Sequence, residues 1–283
     1  MLFDPSPIDF DRQAIVFVHI PKTAGVSLFR ALAAGLGADR CAQTRMEKID
    51  KIHDGARARL FWSAGHGFRN ALRRFGGTDP LIPRGFPPSR LDDIFVLAGH
   101  FSLNHEPKIA RKPVYITLVR DPVERFISHY YFLQDLHELE PATRRDTQPA
   151  RKYDLERYVD LLENRRLVGV TNVQCRYIGG DETFDSARHA LDEQVFLAAP
   201  SERLGDFLKL LALALPFEPV ITPRENVGQA RRAALAPSER TLEQIRGLVA
   251  EDRKLFDYVS REFEAVYRRY APVAALAGGM KPG

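Results

Sequence analysis

Residues 15–28 of this 283-residue chain, Ile-Val-Phe-Val-His-Ile-Pro-Lys-Thr-Ala-Gly-Val-Ser-Leu, constrain its fold more than any other stretch. A β-branched and aromatic run, Ile15 to Val18, gives way to Pro21-Lys22-Thr23-Ala24-Gly25, after which apolar residues repeat with helical spacing. A strand that feeds a helix through so short a loop builds an anion site. The first N–H groups of a helix have no intrahelical acceptor, and the aligned peptide dipoles add positive potential there. Lys22 brings a mobile full charge, Thr23 and Ser27 bring hydroxyl donors, and Gly25 allows a ligand to approach the backbone. The expected ligand is a phosphate or sulfate ester.

A second segment sharpens that expectation. Val114 to Val119 reads as another buried strand and runs directly into Arg120-Asp121-Pro122 and a helix carrying Ser128. Pro122 suits the first turn of a helix, and Asp121 is a natural N-cap before it. Arg120 then stands at the carboxyl end of a strand, where open α/β sheets bind ligands, and its planar fork suits a phosphate. Ser128, two turns further on, is close enough to help fix the same anion. The blander readings are an ordinary turn at Lys22, an ion pair at Arg120 and Asp121, and a packing role for Ser128. Arg125 reads as a residue on a solvated face.

The two segments together resemble the motifs of sulfotransferases that use 3′-phosphoadenosine 5′-phosphosulfate (PAPS). Among these they are most similar to carbohydrate sulfotransferases of the heparan sulfate and uronosyl 2-O type. The resemblance implies an α/β fold, a P-loop-NTPase-like parallel sheet flanked by helices. It implies that Lys22, Thr23, Ala24, Gly25, Val26, Ser27 and Leu28 form the 5′-phosphosulfate loop, and that Arg120 and Ser128 hold the 3′-phosphate. It further implies transfer to a hydroxyl acceptor, a carbohydrate by this likeness, without a metal. Val26 stands where the family often has Ser or Thr, and Ala98 where the animal 2-O enzymes have a second His. Weaker similarity follows at Asn172 to Gly180, at Val195 to Leu208, and at Glu225-Asn226-Val227 before Arg231 and Arg232. For Asn172, Arg231 and Arg232 a structural or solvated role is favoured over a cofactor role.

Transfer to a hydroxyl needs a proton acceptor, and imidazole titrates in the right range. His100 follows a short apolar strand, Ile94 to Ala98, and Gly99; in the resembling family a Gly-His at this point supplies the base. If His100 has that role, its strand and the strand before Arg120 are close neighbours that end at the edge of the Lys22 loop. His66 in Gly65-His66-Gly67 is the rival base, His19 reads as structural, and His129 as a helix-face residue. Lys22 is then catalytic as well as binding, because it faces charge that grows as the bond to sulfur breaks. Two other function classes remain open. One is a P-loop-type kinase or nucleotide phosphotransferase, although no Gly-x-x-x-x-Gly-Lys-[Ser/Thr] occurs. The other is a non-catalytic protein that binds an anionic glycan or nucleotide on the same scaffold.

Composition narrows the rest. A net charge of +4 favours anionic ligands, yet no dense basic tract suggests nucleic acid. Cys41 and Cys175 lie too far apart in sequence to suggest a metal site or a disulfide framework, and read as two buried thiols. Met1 to Pro7 lacks a basic region followed by an apolar one, and no apolar run reaches membrane-spanning length. The expectation is a soluble, cytoplasmic chain with one domain over 14–270 and terminal tails at 1–13 and 271–283; the oligomeric state is left open. Residues 38–93 read as short helices and loops, and Asp135 to Lys152 as a charged, mobile surface segment. Further helices are expected over Leu155 to Asn164, Leu204 to Leu215, and from about Thr241 onward, with a strand at Val195 to Ala199.

Overall fold

Both faces of Gln13–Val18 (β1) are apolar, so this strand must be covered on both sides. In the computed structural model, which describes residues 1–44, 93–106, 109–139, 148–164, 170–216 and 237–277, it is the central strand of an all-parallel sheet. The other strands are Cys41–Thr44 (β2), Val96–Gly99 (β3), Lys112–Val119 (β4) and Val195–Pro200 (β5), in the spatial order β2-β3-β1-β4-β5. The fold is therefore the α/β parallel sheet with flanking helices that the two motifs imply. The chain leaves β1 toward β2 on one side and later returns to place β4 on the other. Such a reversal opens a crevice at the carboxyl ends of the strands.

Alternation along the strands divides the interior into two cores. Ile15 and Phe17 of β1 pack with Leu28, Phe29 and Leu32 of the helix Gly25–Leu36 (α1) and with Phe207 and Leu211. Val16 and Val18 face the other way, toward Cys175, Ile178, Leu191 and Leu255. A third cluster joins the helix Pro122–Leu139 (α2) to Leu155–Glu163 (α4) through Phe126, Tyr130, Tyr158 and Val159. Between these two helices lies the short helix Gln148–Lys152 (α3). Part of the segment read as mobile surface is thus helical: α2 continues to Leu139, and α3 is held by buried Ala150, whose carbonyl accepts from Gln134 at 3.1 Å. Residues 140–147 lie outside the described residues.

Val173–Gly179 (α5) and Phe184–Glu193 (α6) lead into β5, followed by Leu204–Ala214 (α7) as expected. The C-terminal helix differs from expectation. Ser238, not Thr241, caps Glu239–Leu248 (α8), its side chain accepting the Thr241 N–H at 3.3 Å. The chain then breaks at Val249 and restarts as Ala250–Ala277 (α9). The break splits one apolar stripe between two jobs: Ile245 and Val249 join the cluster around α2 and α4, whereas Leu255 and Phe263 cover the sheet. The first residues are not a loose tail. Leu2 N–H donates to Val195 O at 3.0 Å, Ile8 N–H to Ala214 O at 2.9 Å, and Phe3 and Phe10 pack on the core. Nor does the helix stop at Tyr270; it runs on to Ala277.

Candidate functional site

The three segments singled out by sequence converge because their strands are adjacent. β1 pairs with β3 in the register Val18 to Gly99, and with β4 in the register Val18 to Thr117. The His19 N–H donates to Gly99 O at 2.9 Å, and the Thr117 hydroxyl donates to Val18 O at 2.9 Å. The Lys22 loop therefore emerges between His100 and Arg120 at one sheet edge. The strands of His100 and Arg120 are not direct neighbours, since β1 lies between them. Each instead meets the segment that follows β1: Arg120 Nη1 donates to the Lys22 carbonyl at 3.4 Å, and His100 Nδ1 lies 2.6 Å from the His19 carbonyl.

The backbone of the loop is shaped for anions. Lys22 and Ala24 both adopt positive φ, 72° and 62°, which side chains with a Cβ seldom do. Ala24 is the N-cap of α1 and has no side chain that could satisfy the helix's first N–H groups. Lys22, Ala24, Val26 and Ser27 are half-buried and reachable, with Lys22 Nζ over the Phe132 ring, 4.6 Å from its centre. Thr23 behaves otherwise than expected: it is fully buried, and its hydroxyl proton goes to Ile20 O at 2.9 Å. It ties the loop rather than donating to an anion. Leu28 is also turned away, its side chain in the core and its N–H bonded to Ala24 O.

Gly25 is needed for a reason the sequence did not suggest. A Cβ there would stand 2.0 Å from His19 Cδ2 and 2.1 Å from Nε2. The His19 ring, only 4% exposed, fills the space under the first turn of α1. It stacks between Phe17, 5.3 Å between ring centres, and His100, 4.3 Å away. Burial, with His100 and Lys22 nearby, holds its pKa well below the usual imidazole range.

His100 has one ring nitrogen fixed. Nδ1 lies 2.6 Å from His19 O, and a carbonyl can only accept, so Nδ1 carries the proton and Nε2 is left with its lone pair. Burial lowers the pKa of His100, opposed in part by that hydrogen bond. A neutral imidazole with Nε2 unprotonated is the form a general base requires.

Arg120 is held at both ends. Its backbone N–H donates to Gln174 Oε1 at 2.8 Å and its carbonyl accepts from Gln174 Nε2 at 2.9 Å. Its guanidinium reaches Glu124 at 3.3 Å as well as Lys22 O. Asp121 is the N-cap that the sequence implies, accepting the Glu124 N–H at 3.0 Å. Ser128 is 2% exposed on the same helix. Arg125 is not on a solvated face: it is fully buried, and its Nη2 donates to Val170 O at 3.2 Å. Its Nε and Nη1 have no hydrogen-bond partner among the described residues. His129 lies one turn on and is half-buried. Burial and the nearby Arg125, Lys22 and His100 push its pKa down to about 3, which places it with the basic groups of the site.

His66, Arg231 and Arg232 lie outside the described residues. Asn172 is well placed but structural, its Oδ1 accepting the Asp252 N–H at 3.1 Å. Both cysteines are buried and free, and burial pushes the Cys41 thiol up to about 12. Among the described residues no group of three or more His, Cys, Asp or Glu could hold a metal, and no helix is long and apolar enough to cross a membrane.

No family model matches the chain. Over 129 residues it is 33% identical to heparan sulfate 2-O-sulfotransferase 1 of Homo sapiens, a match covering 42% of this chain and 36% of that protein. The same figures hold for heparan sulfate 2-O-sulfotransferase 1 of Cricetulus griseus. The heparan sulfate 2-O-sulfotransferase of Caenorhabditis elegans is 23% identical over 177 residues, 56% of this chain and 54% of that one. The match thus spans between a third and about half of each relative's length.

Proposed function

We propose, from the local similarity to heparan sulfate 2-O-sulfotransferases, that this chain is a sulfotransferase that moves the sulfuryl group of PAPS to a hydroxyl of a carbohydrate acceptor. The observation that carries this reading is the 2.6 Å contact of His100 Nδ1 with the His19 carbonyl, from which the tautomer follows. A base with its lone pair on Nε2 stands at the sheet edge from which the Lys22 loop and Arg120 also project.

The residues suit a ligand with two separate anionic ends. The uncapped first turn of α1 with Lys22 is one anion site, and Arg120 with Ser128 is the other. PAPS, when bound, would supply the activated sulfuryl group, with the 5′-phosphate of the departing PAP as its leaving group. Lys22 and the N–H groups of Gly25, Val26 and Ser27 hold the 5′ end, and Lys22 opposes the negative charge that develops there. Arg120 and Ser128 hold the 3′-phosphate, which takes no part in the chemistry. His100 Nε2 accepts the proton of the acceptor hydroxyl, while its Nδ1–H stays on the His19 carbonyl. The His19 ring, packed against Phe17 and the backbone of Gly25, lies 4.3 Å from the His100 ring and supports it.

Calorimetry with 3′-phosphoadenosine 5′-phosphate (PAP), AMP and ADP tests the cofactor. The expected result is much tighter binding of PAP. Equal affinities, or a magnesium-dependent preference for ATP, would overturn the reading in favour of a kinase. Labelled PAPS with a panel of glycans and small hydroxyl compounds then tests the acceptor.

A further inference from the structure

Gln174, in the first turn of α5, is fully buried, and both ends of its side-chain amide serve one residue. Oε1 accepts from Arg120 N–H and Nε2 donates to Arg120 O, at 2.8 and 2.9 Å. The pairing of β4 with β5 ends one residue earlier, at Val119 and Pro200. Gln174 thus continues the ladder where the strand partner stops, and fixes the backbone of Arg120 as a strand would.

Gln174 is itself held from α9. The Asp252 carboxylate accepts the N–H of Gln174 at 3.1 Å and of Cys175 at 2.8 Å, which satisfies the start of α5. In return, Asn172 Oδ1 accepts the N–H of Asp252, which lies in the first turn of α9. Two helix starts remote in sequence cap each other. Asp252 is fully buried and lies near the buried Arg125 charge. Its neighbour Arg253 forms an ion pair with Asp121. The first turn of α9 therefore grips Arg120 through Gln174 and Asp121 directly.

A flexible arginine reads a phosphate well only if its stem starts from the right place, because small displacements of a binding group cost large factors in affinity. We infer that Gln174 is a positioning residue for Arg120 and so sets discrimination for the 3′-phosphate, with Asp252 as its support. The inference rests on the sulfotransferase reading above.

The test is calorimetry of PAP and AMP with the full chain, its Gln174→Met variant and its Asp252→Asn variant, beside thermal unfolding of each. Methionine keeps the length and packing of glutamine but neither hydrogen bond. Gln174→Met is expected to lose about tenfold to hundredfold in PAP affinity, while AMP, which lacks the 3′-phosphate, changes by less than about twofold. A general loosening of the fold would weaken both nucleotides alike, and that result would overturn the inference. Should Gln174→Met not fold, Asp252→Asn carries the test, with a smaller loss confined to PAP. A parent that prefers PAP and variants that keep the whole preference would overturn the inference alone. A parent that binds PAP and AMP equally would overturn the sulfotransferase reading and the inference with it.

Discussion

Acidification from pH 7 to pH 5 is expected to destabilise this protein through its site imidazoles, and His129 allows the size to be worked out. Its folded pKa is about 3, from burial first and then from Arg125, Lys22 and His100; in an unfolded chain imidazole titrates near 6.5. Between those two values the unfolded state binds the proton and the folded state does not. The stability contributed by neutral His129 is therefore present above about pH 6.5 and is lost as pH falls toward 3. Linkage over the interval from pH 7 to pH 5 gives a loss of about 2 kcal/mol for one such group. His19 and His100 are shifted in the same direction, chiefly by burial, and add to the loss. Asp252 acts with the opposite sign, since burial raises its pKa and its protonation favours the fold as pH falls. The difference between parent and His129→Gln isolates the one imidazole. Urea unfolding at pH 7, 6 and 5 should show the variant losing about 2 kcal/mol less than the parent. Parallel losses would refute the assignment of His129 as a buried neutral group beside Lys22.

Gly25→Ala should cost about 1–3 kcal/mol in chemical denaturation, because its Cβ would overlap a His19 ring with no room to withdraw; unchanged stability would show that the ring can move. Lys22→Ala should reduce turnover more than PAP affinity, and Arg120→Ala the reverse, since in the proposed reaction only Lys22 faces developing charge. Steady-state kinetics with a working acceptor decides this, and matched losses in both constants for both variants would remove the division of roles. His100→Ala should bind PAP as the parent does and lose about a hundred- to ten-thousandfold in transfer. Near-parent turnover would move the base elsewhere, with His66 the next candidate.

The strands that position the site are legible because they are buried on both faces and read as continuous apolar runs: Ile15 to Val18, Ile94 to Ala98, Val114 to Val119 and Val195 to Ala199. β2 escapes this reading. Cys41-Ala42-Gln43-Thr44 is four residues long at the sheet edge, and half of it is polar. The break at Val249 escapes it too, because the apolar spacing continues across the break while the packing partner changes from α2 and α4 to the sheet. Periodicity records that a face is buried, and is silent about which neighbour buries it.

The site shows the same division between local and tertiary information. Lys22, Arg120, Asp121 and His100 stand at strand ends, so their positions follow from local pattern and strand order. Gln174 and Asp252 do not, because each acts on a residue more than 50 positions away and no local pattern announces that contact. Arg125 and His129 stand four residues apart, about one helical turn, a spacing that puts two basic residues on one side of α2. Gly25 is the most instructive case, because its missing side chain has a packing consequence that no local pattern shows. A missing side chain suggests room for a ligand, whereas the room a Cβ would take holds the His19 ring. Because the His19 carbonyl meets His100 Nδ1 and the His19 ring lies against that imidazole, the absence of a Cβ at position 25 acts on the proposed base at the end of the adjacent strand. The glycine of the binding loop and the orientation of the base are one packing problem, and a substitution at Gly25 should disturb proton transfer as well as phosphate binding.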